Sequence, residues 1–232
     1  MRDLSKLVDD YYANYYQSVH KNLESRSRFS FHKKIESLYD PNQIYSLILE
    51  LGAGQTQHWK FLRHKFDSYL VTDIRGILNE DFIEIEVGEI PKAKGYYKSF
   101  ADATDLKYPD ESFSRIITGC LLLHINDPLI AVDEWIRVLK PGGRIDALIP
   151  NDHSLSLWMY RLLVSRKKAR KLGFYEFDLV NALEHFTYYD RVVKLINARY
   201  DSENHSFQHS PPVLGQIKIL RAFSILRMHK SD

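Results

Sequence analysis

Apolar positions near the start of the chain recur at helical spacing. Across residues 4–38 they include Tyr11, Tyr12, Tyr15 and Tyr16 as i, i+4 pairs, predicting one or two helices closed by Pro41. The pattern then changes to a short run rich in β-formers, Ile44-Tyr45-Ser46-Leu47-Ile48-Leu49-Glu50-Leu51. It ends on Gly52-Ala53-Gly54, and a helical stretch is expected over residues 55–65. A second strand, residues 69–72, stops at Asp73. A third precedes Asp102, a fourth covers residues 113–119, and a fifth covers residues 144–149. Between the fourth and fifth, residues 128–139 form an amphipathic helix stopped by Pro141-Gly142-Gly143. Residues 82–87 alternate like a strand where a parallel fold calls for a crossover helix. After Pro150 the rhythm breaks into helices over residues 154–172 and 179–198, then strands over 213–220 and 222–228.

Strands alternating with helices across short glycine turns predict an α/β fold with a parallel sheet covered on both faces. The 232 residues suit one such domain: a helical cap (1–43), a ligand-binding core (44–150), a helical insertion (151–200) and C-terminal strands (201–232). A hydrophobic content of 44% and a net charge of only +2 exclude a largely disordered chain and a general nucleic-acid surface. Cys120 is the single cysteine, and the ten histidines show no ligand spacing, so neither a disulfide nor a metal site is expected. No signal-peptide pattern and no run of eighteen apolar residues is present, and a cytoplasmic protein is the expectation.

The candidate chemistry sits at the strand ends. Gly52 and Gly54 let a ligand approach the first strand, and the next segment presents unpaired N–H groups. A dinucleotide fingerprint needs a third glycine where this chain has Gln57, which weakens a nicotinamide dehydrogenase. Asp73, about twenty residues further on, suits both hydroxyls of a ribose. Asp102-Ala103-Thr104 forms a polar turn that suits an adenine amino group or, equally, a helix N-cap.

Together these residues occupy the carboxyl ends of three successive strands, where open parallel sheets bind ligands. Through Ile48-Leu49-Glu50-Leu51-Gly52-Ala53-Gly54, Val71-Thr72-Asp73, Asp102-Ala103-Thr104-Asp105-Leu106, Pro109-Asp110-Glu111-Ser112-Phe113 and Arg137-Val138-Leu139-Lys140-Pro141-Gly142-Gly143, the chain resembles the class I S-adenosylmethionine-dependent methyltransferases. The resemblance implies a Rossmann-like, doubly wound, mostly parallel seven-stranded sheet and S-adenosylmethionine as cofactor. Glu50, Gly52, Ala53 and Gly54 would meet its methionine part, Asp73 with Ile74 its ribose, and Asp102 with Ala103 its adenine. Cys120, Tyr12 and Tyr16 complete the expected cofactor neighbours. The family's fourth strand usually begins Phe-Asp and ends in two histidines; here Ser114 and Leu123 stand in, leaving His124. Residues 149–153 and 182–185 also look similar to a bacterial branch associated with surface polysaccharides.

Methyl transfer to a hydroxyl calls for a base, and the candidates are His124, His153 and His185. Each has an ordinary structural role as its alternative. The acceptor expected is a small molecule or glycan, including phosphate-bearing ones, because Arg166-Lys167-Lys168-Ala169-Arg170-Lys171 places five positive charges in six residues. Most such runs are solvated helix faces. RNA or protein methylation, and a non-catalytic cofactor binder, are the alternatives. The oligomeric state is not encoded in these patterns.

Overall fold

The computed structural model describes residues 3–16, 18, 29–54, 58–75, 81–211 and 214–231. Helix α1 (Leu4–Asp10) continues as a π-helical turn (Tyr11–Tyr15), and α2 spans Phe29–Glu36. Strands β1 (Ile44–Leu51), β2 (Lys65–Asp73), β3 (Ile83–Glu84), β4 (Gly95–Phe100) and β5 (Phe113–Gly119) follow. Helix α3 (Pro128–Val138) leads into β6 (Leu139–Pro150). One long helix then runs through α4 (Leu155–Tyr160), a π turn (Arg161–Ser165) and α5 (Arg166–Lys171). Helices α6 (Phe177–Glu184) and α7 (Tyr189–Arg199) precede β7 (His205–Ser210) and β8 (Phe223–His229).

The strands form one sheet of eight, ordered β3-β4-β2-β1-β5-β6-β8-β7. The strand beyond the expected seven is the two-residue β3. Pairing is parallel from β3 to β6, and β8 runs antiparallel to both β6 and β7. Register decides what each face carries. Leu49, Ile116 and Ile145 stand abreast on one face, and Glu50, Ile117 and Asp146 on the other.

The first face is apolar. It packs against Val132 and Trp135 of α3 and Val192 and Ile196 of α7, all fully buried; each such aliphatic side chain removed from water is worth roughly 1.5–3 kcal/mol. The second face is polar at its centre, because Arg115 and Asp146 lie there beneath α2. Around them Ile35 joins Leu148, Phe223 and Ile225.

Several expectations change. The helix predicted for residues 55–65 is a single 3-10 turn, His58–Phe61, with residues 55–57 outside the described set. His58 is buried and anchored by its N–H and ring, and β2 already begins at Lys65, so no room for a helix remains. The alternation over residues 82–87 yields only Ile83–Glu84 on the edge beside β4. The helix predicted over residues 179–198 breaks between Glu184 and Tyr189, because the N–H groups of Phe186 and Thr187 turn to the carbonyl of Leu123. The strand predicted over residues 213–220 is replaced by 3-10 turns at Leu214–Gln216 and Lys218–Leu220, and β7 supplies the edge instead. Of the one or two helices expected at the start, residues 17 and 19–28 lie outside the described set.

Candidate active site

The glycine turn after β1 is backbone-lined. Gly52 and Gly54 have φ of +62° and +51°, left-handed values at which a side chain is strained. A methyl built on Gly54 would meet only Asp73 Oδ2, at 3.9 Å, so the turn leaves an open cradle at the strand end. The Gly54 N–H donates to Asp73 Oδ2 at 2.9 Å, and the Arg75 N–H donates to Oδ1 at 2.8 Å. Two strand ends are thereby tied together, with carboxylate lone pairs left to receive hydroxyl groups.

Glu50 is held by the chain itself. Its carboxylate accepts the His58 N–H at 2.8 and 3.0 Å and the Tyr69 hydroxyl at 2.8 Å. It therefore braces the glycine turn from beneath, while still lining the cavity. Burial pushes its pKa up to about 7, and the donors that reach it are neutral and offset only part of that. The sign follows: with a folded value above the unfolded value of about 4.5, the group favours the folded state below pH 4.5 and loses that contribution as pH rises through 7. Glu50→Gln removes this dependence. In urea titrations, the wild type should lose about 2–3 kcal/mol relative to Glu50→Gln between about pH 5 and pH 8. Parallel stability curves for the two proteins would remove the argument.

Asp102 binds its own turn, accepting the Thr104 N–H at 2.8 Å and the Thr104 hydroxyl at 2.7 Å through Oδ1. Helix α3 holds this loop in place: the buried Trp135 Nε1–H donates to the Ala103 carbonyl at 3.0 Å, and Arg137 donates to the carbonyls of Leu106 and Tyr108. At the end of β5, Cys120 has a φ of +64° and its N–H donates to the Leu148 carbonyl. Ser114, where the family usually has aspartate, stitches β5 to β1 by accepting from Leu47 N–H and donating to Leu47 C=O.

These strand ends open on a cavity of about 1170 Å³. A single ligand usually occupies about 300–1,000 Å³, so the volume accommodates a nucleoside-sized cofactor and a second molecule. All eleven expected cofactor neighbours line it: Tyr12, Tyr16, Glu50, Gly52, Ala53, Gly54, Asp73, Ile74, Asp102, Ala103 and Cys120. Phe31, Ile35 and Leu148, packed together, supply an apolar wall, and the exposed Phe186 lines the cavity separately. The roof is tied at one point. The Tyr12 hydroxyl donates to Glu184 Oε2 at 2.9 Å, and Arg75 bonds the same carboxylate at 3.0 Å while lying 4.1 Å from the Tyr12 ring centre.

The three histidines separate. His124 lines the cavity, and its ring meets that of His185 edge to face at 4.8 Å. His185 sits behind it, with Nδ1 2.7 Å from Asp152 Oδ2, whose other oxygen accepts from Arg161 at 2.7 Å. His153 is exposed, lies tilted against Tyr188 at 5.7 Å and is outside the cavity lining. His185 ends α6 instead of lying within a helix, which is what turns it away from the lining. Burial first, and then the neighbouring His185, lower the pKa of His124 to about 4, so its imidazole is neutral at pH 7. None of the basic residues 166–171 lines the cavity, and Arg166 is paired with Asp178 at 2.7 Å.

Beneath the second face lies a polar cluster that the sequence patterns did not reveal. Arg115 donates to Glu36 Oε1 at 2.7 Å, to Asp146 Oδ2 at 2.8 Å and to His64 Nε2. Tyr39 adds a hydroxyl to Asp146 at 2.5 Å. The Nε2 of His58 lies 2.8 Å from Glu36, and its Nδ1 lies 2.7 Å from Nδ1 of His32, a cavity residue. No local spacing signals this set, because its members come from α2 and the turn after it, the segment between β1 and β2, and β5 and β6. Among the described residues, no group of three or more His, Cys, Asp or Glu side chains could hold a metal.

Comparison with known proteins agrees with this geometry. Residues 49–146 match the family model of the methyltransferase domain. A demethylmenaquinone methyltransferase of Clavibacter sepedonicus is 49% identical over 45 residues, 19% of this chain and 18% of that protein. One of Staphylococcus aureus (strain JH9) is 30% identical over 93 residues, 39% of each. The chain thus spans well under half the length of these curated relatives. The plantazolicin methyltransferase BpumL in complex with SAH superposes with a TM-score of 0.58 at 13% identity, covering 99% of this chain and 96% of that one. The open glycine cradle, the paired Asp73 and the size of the cavity fit S-adenosylmethionine. By its fold the chain is similar to S-adenosylmethionine-dependent methyltransferases, and its residues 49–146 match the methyltransferase domain.

Proposed function

We propose that the protein transfers a methyl group from S-adenosylmethionine to a hydroxyl of a small-molecule acceptor with an apolar body. One observation carries this reading: a single cavity joins Gly54 and Asp73 to His124, to the apolar wall of Phe31, Ile35 and Leu148, and to Phe186. That wall favours an apolar acceptor over a glycan or a phosphate-bearing molecule. The names of the curated relatives, which refer to demethylmenaquinone, also favour a small molecule over RNA or protein.

When bound, the cofactor supplies a methyl group already activated by its sulfonium. The chain's part is to position and to manage one proton. Asp73 receives ribose hydroxyls, Asp102 and Ala103 border the adenine, and the glycine turn, braced by Glu50, carries the methionine part. The second wall aligns the acceptor and excludes water, an effect worth about 7–11 kcal/mol when geometry is good. His124, neutral at pH 7, takes the hydroxyl proton, and the His185–Asp152 pair packs behind it.

Calorimetry with S-adenosylmethionine and S-adenosylhomocysteine is the first test, followed by methyl transfer to a panel of small phenols and alcohols. Asp73→Ala should weaken cofactor binding by about 3 kcal/mol, roughly a hundredfold, with the fold retained, because two hydrogen bonds to a charged carboxylate are lost. Folded wild-type protein that binds neither molecule would overturn the proposal.

A further inference from the structure

The basic run that the cavity does not use belongs to a helix with an unusual solvent face. In α4 no residue is buried, and through the π turn and α5 only Ser165 and Ala169 are. Surface helices normally present polar side chains to water. Here the exposed stripe reads Leu155, Trp158, Met159 and Leu163, each 42–51% exposed, and only then Lys167, Arg170 and Lys171. The spacing of three or four residues keeps these positions on one side. The neighbouring turn, joined to α4 by the Ser156 hydroxyl donating to the Leu220 carbonyl at 3.2 Å, adds Ile217 and Ile219 at 53% and 58% exposure. An apolar patch of this kind on a protein surface marks an interaction site.

We propose that this helix, residues 155–171, docks the protein onto an anionic lipid bilayer. The pairing of chemistries selects that partner. Leucine, tryptophan and methionine side chains suit the acyl boundary, and lysine and arginine one or two turns on suit lipid phosphates. Among the described residues, no carboxylate forms an ion pair with Lys167, Arg170 or Lys171, so their charge is available to lipid. A second copy of the chain satisfies less: pairing two such helices would set basic turns against apolar ones or against each other. Docking of this kind is peripheral, since no helix among the described residues is long and apolar enough to cross a membrane. The inference goes beyond methyl transfer and does not depend on it.

Co-sedimentation of the full chain with phosphatidylglycerol and with phosphatidylcholine vesicles tests it. Binding to phosphatidylglycerol at low salt, with a blue shift of tryptophan emission, is expected. Trp135 is buried and Trp59 is partly buried against Phe82 and Tyr96, away from this helix, so Trp158→Phe should abolish the shift while leaving sedimentation nearly unchanged. Lys167→Gln/Arg170→Gln/Lys171→Gln should lower the partition coefficient on the order of a hundredfold. Leu155→Ser/Met159→Ser/Leu163→Ser should lower it similarly, and cofactor calorimetry on both variants should match the wild type, which separates this test from that of methyl transfer. Equal partition to both vesicle types, or undiminished binding by either variant, would overturn the proposal. So would self-association lost in the serine variant without any vesicle binding, since that outcome assigns the patch to a second copy.

Discussion

His124→Gln should lower kcat by about 10²–10⁴-fold while leaving the cofactor Kd within about twofold, the usual signature of losing a positioned proton acceptor. The environment of His124 makes the test sharper than a simple loss of activity. Burial and the adjacent His185 hold its pKa at about 4, so the proton-accepting form is present throughout the neutral range. The rate in the wild type should then be flat above about pH 5 and fall only as the medium approaches pH 4. A rate that climbs through the ordinary histidine pKa of about 6.5 would assign the proton to another group. His185→Ala should cost less, because that ring stands behind His124 and is held by Asp152.

Arg115→Met should destabilise the fold by about 3–5 kcal/mol, a large fraction of a typical 5–15 kcal/mol. Arg115 is fully buried between Glu36 and Asp146, themselves 0% and 1% exposed, and its removal leaves Glu36 without a permanent counter-charge and Asp146 with only Arg227, 3.3 Å away. Burial alone would raise the pKa of Glu36; the hydrogen bond from His58 and the charge of Arg115 instead hold it at about 2. That contribution is present above pH 4.5 and disappears as pH falls towards 2, the opposite of Glu50. Urea unfolding measures the loss, and adding Glu36→Gln and Asp146→Asn to Arg115→Met should recover much of it. A loss below about 1 kcal/mol for Arg115→Met would show that the cluster tolerates an unpaired charge and would refute this account.

The parts of the site that could be read in the sequence are those written in local chemistry. A glycine turn after an apolar run, an aspartate at or just past the ends of β2 and β4, and the amphipathic helix over residues 128–138 all depend on neighbours a few residues away, although Pro141-Gly142-Gly143, expected to stop that helix, falls inside β6. What escaped depends on distant partners. The break before Tyr189 is made by the carbonyl of Leu123, which no helical periodicity records. The missing helix after β1 follows from His58 being claimed by Glu36 and Glu50 at once. His32 reaches the cavity only because α2 crosses the second face of the sheet. The basic run was legible as a charged helix, but its apolar first half reads as core until the packing leaves it outside.

The polar centre of the second face also bears on the order of assembly during synthesis. Glu36 precedes Arg115 by 79 residues, and Tyr39 precedes Asp146 by 107. At roughly 5–20 residues per second, α2 leaves the ribosome several seconds or more before the groups that neutralise it exist. Helix α2 can meet the turn after β1 early, through His32 and Glu36 against His58, but the ion cluster closes only when β6 arrives. Helix α2, though made early, gains its full set of partners only late in synthesis.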